Sequence, residues 1–331
     1  MKAVIPVAGA GTHLRPHTHT QPKPLIPVAG KPILGHIISN LIHAGIREQV
    51  FVVGYLKEKI KDYVLSSFGD QIEASFVVQE PRRGLGHALW VCRENIQTEQ
   101  EILVVLGDTI FGDDTTKIMD IEGSVLAVHP VDDPRAFGVA MLDEHRYVKK
   151  LVEKPDIPTS NLALVGLYKI SEVPKLIDIL GQMTAENTDS KRDIPLTDAL
   201  MTMVEQGTKI FTHRVENWFD CGQKTSLLHT NQVLLGRNAE SKTYSFSNTV
   251  IIEPVHIAPN CEIVNSVIGP HVAIAENARI HNSIVSNSIL GAYSRLDSII
   301  LNNSVIGNDT SLRGKSNSIN IGDNTEIDFE Q

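Results

Sequence analysis

The chain has 331 residues, 30 of them Lys or Arg against 39 Asp or Glu, for a formal net charge of −9 at pH 7. Such a length accommodates one large core with a smaller appended unit, and the acidic balance excludes general nucleic-acid binding, which rests on broad neutralisation of phosphates by Lys and Arg. Three widely separated cysteines, Cys92, Cys221 and Cys261, lack metal-ligand spacing and no apolar run reaches membrane-spanning length, so a cytoplasmic protein with no membrane and no nucleic-acid partner is expected.

The first predicted element is the apolar strand AVIPV, which ends in the small-residue loop Ala8-Gly9-Ala10-Gly11-Thr12-His13-Leu14-Arg15-Pro16 and continues to Pro22-Lys23-Pro24. Gly9 and Gly11 can adopt backbone angles closed to other residues and let main-chain N–H groups approach an anion. Arg15 adds a planar fork and Lys23 a mobile point charge, a pairing suited to a triphosphate. The loop has no Gly-Lys-Ser/Thr ending and carries Leu14 where a dinucleotide fingerprint needs its third glycine, so the two better-known phosphate loops are excluded. His13, His17 and His19 have a spacing that in isolation also reads as a transition-metal site. Inside a phosphate loop they are read as solvent or substrate contacts.

From Lys2 to about Phe211, β-rich runs alternate with helical patterns: AVIPV, a helix near Pro32 to Ala44, QVFVV, a helix near Lys57 to Ser66, ASFVV, a helix from Leu85, then EILVVL. Alternation of this kind predicts an α/β fold, a three-layer Rossmann-like and mostly parallel sheet whose carboxyl-end loops carry the site. A further helical pattern, Phe219 to Gly236, closes the region.

Polar residues fall at the predicted strand ends. In QEPRRGLGHA, Gln79 can donate to and accept from a base edge, and Gly84 permits close backbone approach; a glycine-rich turn and helix start is the alternative. Asp108 ends the apolar strand VVLG, and Asp220 lies in WFDCG. Either fits an oxygen-ligand site for Mg²⁺, or a turn or cap. Glu153 and Lys154, before Pro155, pair an acceptor for hydroxyls with a cation for phosphate. Arg15, Lys23, Arg82, Arg83 and Lys154 are the cations such a site must gather.

Beyond about Ser247 the character changes. Aliphatic-small pairs recur, as in Ile257-Ala258, Ile268-Gly269, Ile274-Ala275, Leu290-Gly291, Ile306-Gly307 and Ile321-Gly322. They resemble the hexapeptide repeats of a left-handed parallel β-helix, each aliphatic residue pointing into a triangular core. The spacing predicts fifteen or sixteen residues per coil, with the polar finish TEIDFEQ as a cap. Domains of 1–237 and 238–331 are expected, and antiparallel β-structure is the alternative for the tail.

Taken in order, these motifs resemble the sugar-phosphate nucleotidyltransferases, the pyrophosphorylases that make NDP-sugars, whose loop reads G-x-G-T-R-L-x-P followed by P-K-P. One departure is His13, which stands where the family has its first arginine. The resemblance implies Mg²⁺ as cofactor, held by Asp108 and Asp220, and catalytic roles for Arg15, Lys23, His13 and Asp108. It implies nucleotide contacts from Ala8, Gly9, Gly11, Thr12, Gln79 and Gly84, and a sugar-phosphate pocket of Gly138, Glu153, Lys154, Gly166 and Tyr168. The segment Asp193–Asp198 echoes a further family element in part.

The implied partners are an NTP and a sugar 1-phosphate, within a homo-oligomer. Long-form glucose-1-phosphate thymidylyltransferases are the most similar branch, with uridylyl and guanylyl transfer as alternatives. Two other classes stay open. One is acyl transfer by the tail, whose His256, His271 and His281 lack a clear catalytic context. The other is a regulatory subunit that binds sugar nucleotides without turnover.

Overall fold

The computed structural model describes residues 1–112, 114–187, 192–216, 218–237 and 244–314. The chain divides into two compact units, Met1–Thr230 and Asn231–Gln331. Among the described residues no helix is long and apolar enough to cross a membrane.

The first unit begins with the expected alternation: β1 (Lys2–Val7), α1 (Ile33–His43), β2 (Glu48–Val53), α2 (Lys57–Phe68), β3 (Glu73–Val78), α3 (Gly84–Val91) and β4 (Glu101–Val105). These four strands run parallel in the order β4-β1-β2-β3. Covered by helices, they are near-continuous apolar runs, and Ala3, Val4, Ile5, Phe51, Val52, Leu103 and Val104 have no exposed surface.

The second half is more mixed than alternation alone predicts. It holds β5 (Thr109–Phe111), β6 (Ser124–Pro130), β7 (Gly138–Leu142), β8 (Val148–Glu153), β9 (Leu162–Ser171), β10 (Ile210–Arg214) and β11 (Trp218–Asp220). The long β9 runs antiparallel to β4 and to β6 and β7, and β8 runs antiparallel to β7, completing a nine-stranded mixed sheet with β10 beside β6. Two helices, α4 (Val173–Glu186) and α5 (Leu196–Glu205), pack with α3 over the apolar core that includes Leu89, Leu176, Leu180, Leu200 and Met203. The pattern read as one helix from Phe219 begins instead with β11, which pairs antiparallel with β5, and only then continues as α6 (Lys224–Arg237). Strand pairing takes Trp218–Asp220 because Gly222 breaks the helical register before Lys224.

The second unit is the expected stack of short parallel strands, arranged in three parallel sheets as in a left-handed β-helix. Ile257, Ile274, Leu290 and Ile306 lie in register along one inner edge. Ile268, Ile274, Ile280, Val285 and Leu290 are at most 1% exposed, and full burial of such a side chain contributes about 1.5–3 kcal/mol.

Coil length differs from the sequence expectation. Register partners are 17 residues apart early in the stack (Val250 with Val267, Glu262 with Arg279) and 16 later (Ala273 with Ile289, Arg295 with Ser311). The extra residue lies in the corner Gly269–Val272, which faces the shorter corner Ser286–Ser288 of the next coil.

Asn265, Asn282, Asn287 and Asn303 turn corners with positive φ, a region asparagine tolerates. Asn248, Asn265 and Asn282 bond one to the next along the stack at 2.9 and 3.2 Å. Pairs such as Ile321-Gly322, and the expected cap, lie outside the described residues.

Candidate active site

A cavity of about 550 Å³ opens in the first unit where the carboxyl end of β4 meets the strands that follow. Of the predicted site residues, Gly84, Asp108, Gly138, Glu153, Lys154, Tyr168 and Asp220 line it. The phosphate-loop residues Ala8, Gly9, Gly11, Thr12, His13 and Arg15 are outside the lining, as are Lys23, Gln79 and Gly166.

One corner of the cavity is acidic. Asp108 follows β4, and β11 runs antiparallel to β5 with Asp220 opposite Thr109, while the Cys221 N–H donates to the Asp108 carbonyl at 3.0 Å. The two carboxylates are thereby neighbours. Lys23 joins them from the loop, its Nζ 2.6 Å from Asp108 Oδ2. The Asp220 carboxyl is pushed up from the usual range, first by burial and then by Asp108, with Lys23 and the Gly222 N–H at 2.9 Å opposing the shift. Two carboxylates sharing one lysine leave net negative charge facing the cavity, which fits the few carboxylates through which Mg²⁺ is bound.

The other end of the cavity is built on β7, β8 and β9. Gly138 pairs with Glu153 across β7 and β8, and a Cβ on Gly138 would come within 3.1 Å of Glu153 Oε2. Thr197 Oγ1, from the start of α5, donates to that same oxygen. Lys154 has a positive φ of 42, fixed by its N–H bond to the Phe137 carbonyl at 3.1 Å. Strain of that kind in a non-glycine residue is characteristic of ligand sites. Tyr168 is buried, and burial together with Glu153 drives its hydroxyl pKa well above the ordinary tyrosine value, so the phenol stays protonated and can donate.

The phosphate loop consists of three single 3₁₀ turns, Thr12–Leu14, His17–His19 and Lys23–Leu25. Gly11 has φ 61, and a Cβ there would meet Lys23 Cβ at 2.8 Å, so the loop closes on the lysine stem through a position only glycine fits comfortably. Gly9 has no atom within 4 Å of a notional Cβ; its value is open space rather than an unusual angle. Arg15 and His13 are exposed, and Arg15 makes no side-chain hydrogen bond or ion pair among the described residues. Burial, then Lys224, lowers the pKa of His17, and among the described residues no three His, Cys, Asp or Glu side chains are grouped to hold a metal.

Three expected contacts take another form. Gly84, at φ 84, faces the Ile194 backbone, whose carbonyl would lie 2.9 Å from a Cβ, and Gly86 donates to that carbonyl at 2.8 Å. The close approach there is to a neighbouring segment of the chain. Gly166, at φ 89, accommodates Leu106, which lines the cavity in its place. Arg83 turns away to the Asn187 carbonyl.

Gln79 is buried, and its Nε2 serves both the Gly84 carbonyl at 2.9 Å and His87 Nδ1 at 3.2 Å. His87 has its pKa lowered, first by burial and then by Arg83, which favours the neutral ring, and the tautomer protonated at Nε2 accepts from Gln79 at Nδ1. Both amide donors of Gln79 are consumed, and Oε1 is left as an acceptor. Leu106, Phe137 and Trp218 complete the cavity wall without having been singled out, because apolar positions at strand ends look like ordinary core in a sequence. In the second unit, His271 Nδ1 lies 3.0 Å from Asn287 and His281 Nε2 lies 3.2 Å from Glu262.

Comparison with known proteins places these observations. A family model described as nucleotidyl transferase matches residues 2–236. A low-salt glycan biosynthesis nucleotidyltransferase of Haloferax volcanii is 32% identical over 260 residues, 76% of this chain and 71% of the relative. A bifunctional protein GlmU of Methanococcus maripaludis is 36% identical over 99% of this chain and 74% of its own length. Other archaeal proteins of that name are matched over 59% of theirs. A glucose-1-phosphate thymidylyltransferase of Streptomyces griseus is 29% identical over 82% of this chain and 81% of the relative. Among solved structures, a Bacillus anthracis protein described as a candidate glucose-1-phosphate thymidylyltransferase superposes with a TM-score of 0.63 at 25% identity, covering 73% of this chain and 98% of that one.

Proposed function

The chain belongs to the nucleotidyl transferase family, and from that premise we propose that it joins an NTP to a sugar 1-phosphate, with dTTP and glucose 1-phosphate as the preferred pair. An oxygen of the sugar phosphate attacks the α-phosphorus in line. The bond from that phosphorus to its bridging oxygen breaks, pyrophosphate leaves with the electron pair, and an NDP-sugar remains. The attacking phosphate is already anionic, so no general base and no covalent enzyme intermediate are required.

The observation that carries this reading is that one cavity is lined both by the carboxylates Asp108 and Asp220 and by Glu153 and Lys154. Lys154 holds the attacking phosphate, Glu153 accepts from sugar hydroxyls, and the protonated Tyr168 is a donor facing the same space. Arg15 stabilises charge building on the α-phosphate and the departing pyrophosphate, with His13 beside it. Asp108 and Asp220 are the residues that would hold Mg²⁺, which when bound supplies positive charge across the phosphate oxygens. Lys23 already neutralises Asp108. Its stem, packed at Gly11, keeps the ammonium beside that carboxylate, where it can also meet an oxygen of an arriving triphosphate.

Gln79, its Nε2 held by the Gly84 carbonyl and His87, offers Oε1 to a base N–H; imino groups of thymine, uracil and guanine and amino groups of adenine and cytosine all supply one, so the choice of base is read from the nucleotide panel. A single methyl distinguishes thymine from uracil, a difference of about 1–3 kcal/mol at most, so UTP is expected as a second substrate. The expected self-association is tested by the sedimentation mass of the chain.

The deciding experiment is pyrophosphate release with Mg²⁺ across dTTP, UTP, GTP, ATP and CTP, each with glucose, mannose, galactose and N-acetylglucosamine 1-phosphates. Release with one preferred pair names the substrates. Nucleotide binding with silence across the panel would overturn the transfer reading in favour of a regulatory subunit.

A further inference from the structure

The loop that presents Arg15 has no regular element longer than a single turn, each of its three 3₁₀ turns spanning three residues. From inside, Thr18 closes it by donating to the Gly11 carbonyl at 2.8 Å. Its outer rim is held from elsewhere in the chain. Tyr55 OH donates to the His19 carbonyl at 3.0 Å, and Lys59 Nζ donates to the adjacent Thr20 carbonyl at 2.7 Å. The Tyr55 N–H also donates to the Ala8 carbonyl at 3.1 Å, and Gly54 lies so close to Ala8 that a Cβ would sit 2.9 Å from that carbonyl oxygen. One short segment, Gly54 to Lys59, thus grips the entry of the loop at Ala8 and its exit at His19 and Thr20.

The gripping segment is itself in an unusual conformation. Leu56, between the two side chains, has φ 51 and ψ 37 as it starts α2. A left-handed leucine is disfavoured unless its surroundings hold it, and such strain clusters where geometry serves a ligand. Because Arg15 has no side-chain partner among the described residues, its aim is set by the loop backbone.

We propose that Tyr55 and Lys59 are positioning residues for the nucleotide triphosphate, acting through the backbone of residues 17–20 to hold Arg15 in place. The proposal rests on the reading of this loop as the triphosphate site. Neither side chain touches substrate; their effect is on nucleotide affinity, with the sugar-phosphate end of the cavity left alone.

The test compares Tyr55→Phe, Lys59→Met and the double variant with wild type, by KM for each substrate and by calorimetric titration with dTTP. Each single change should weaken nucleotide binding about three- to tenfold and the double change more, in proportion to the hydrogen bonds removed. KM for the sugar phosphate should stay within about twofold, and Lys59→Arg should restore most of the loss.

Tyr55→Phe alters no charge, so its loss separates a strap from direct attraction by Lys59. Unchanged dTTP affinity in the double variant overturns the proposal with the transfer reading intact, and so does an equal rise in both KM values. If wild type binds dTTP without releasing pyrophosphate, transfer fails as a reading, while weaker binding by the variants still supports the strap.

Discussion

The two units use left-handed backbone in different ways. In the β-helix it recurs at equivalent corners, mostly on asparagines: Asn248, Asn265 and Asn282 bond to one another coil after coil, and the serines that follow at 266 and 283 are buried. In the first unit it follows no repeat: Gly11, Leu56, Gly84, Lys154 and Gly166 lie beside the phosphate loop or the cavity and face different neighbours, while Ala29, Gly30, Gly45, Gly123, Arg146, Glu172 and Gly207 carry it elsewhere. Repetition spreads the cost evenly over a stack where each coil contacts its neighbours. The first unit instead gathers unlike groups, two carboxylates, a buried tyrosine and the left-handed Lys154, around one space. Substitutions in the first unit should therefore change chemistry more than stability, and substitutions in the second should do the reverse.

The largest expected effect is on chemistry. Asp108→Asn leaves Lys23 without its charged partner and one carboxylate fewer for a cation, so turnover should fall about 10³-fold in a pyrophosphate-release assay. In the β-helix, Leu290→Ala empties part of a fully buried stack and should cost about 2–5 kcal/mol in denaturant unfolding, while kcat of the remaining folded protein holds. A fall in kcat at full stability would break the comparison. Glu153→Gln keeps the shape and removes the charge that meets the sugar, so KM for the sugar phosphate should rise about 10- to 100-fold with nucleotide KM steady.

Asp220 gives the smallest and most diagnostic effect. Its carboxyl has a raised folded-state pKa, so the folded chain binds the proton more tightly than the unfolded one, and stability falls as pH rises through the window between the two values. At neutral pH the charged form is a liability to the fold. Asp220→Asn should accordingly raise Tm at pH 7 by a few degrees while activity is lost, and the gain should vanish at a pH below the unfolded value. A lower Tm at pH 7 would show that Asp220 is there for packing.

Much of this was legible in the sequence because it is local. The loop from Gly9 to Lys23 names its chemistry through glycines and two cations, and the aliphatic-small pairs reveal a coil. What stayed hidden involves partners far apart along the chain. Nothing near Lys23 announces Asp108, 85 residues later. Gly84 lines the cavity, but the side where a Cβ would stand faces Ile194, more than a hundred residues away, a packing constraint no local pattern announces. The sixteen-residue spacing counted on inner aliphatics from Ile274 to Ile306 holds, and what it left out is the longer 17-residue spacing earlier in the stack. The asparagine corners carry no hydrophobic signal. Phe219 and Asp220 looked helical because the three-residue strand Trp218–Asp220 is too short to show alternation, and only its pairing with Thr109–Phe111 defines it.

The central claim is that one cavity brings an α-phosphate to a sugar phosphate, and the most direct test follows the atom that moves. With dTTP labelled at the α-phosphorus and unlabelled glucose 1-phosphate, the account predicts label in a sugar nucleotide, none in the released pyrophosphate, and none left on the protein after denaturation. Label retained covalently on the chain, or released as a free nucleotide without a sugar attached, would contradict it.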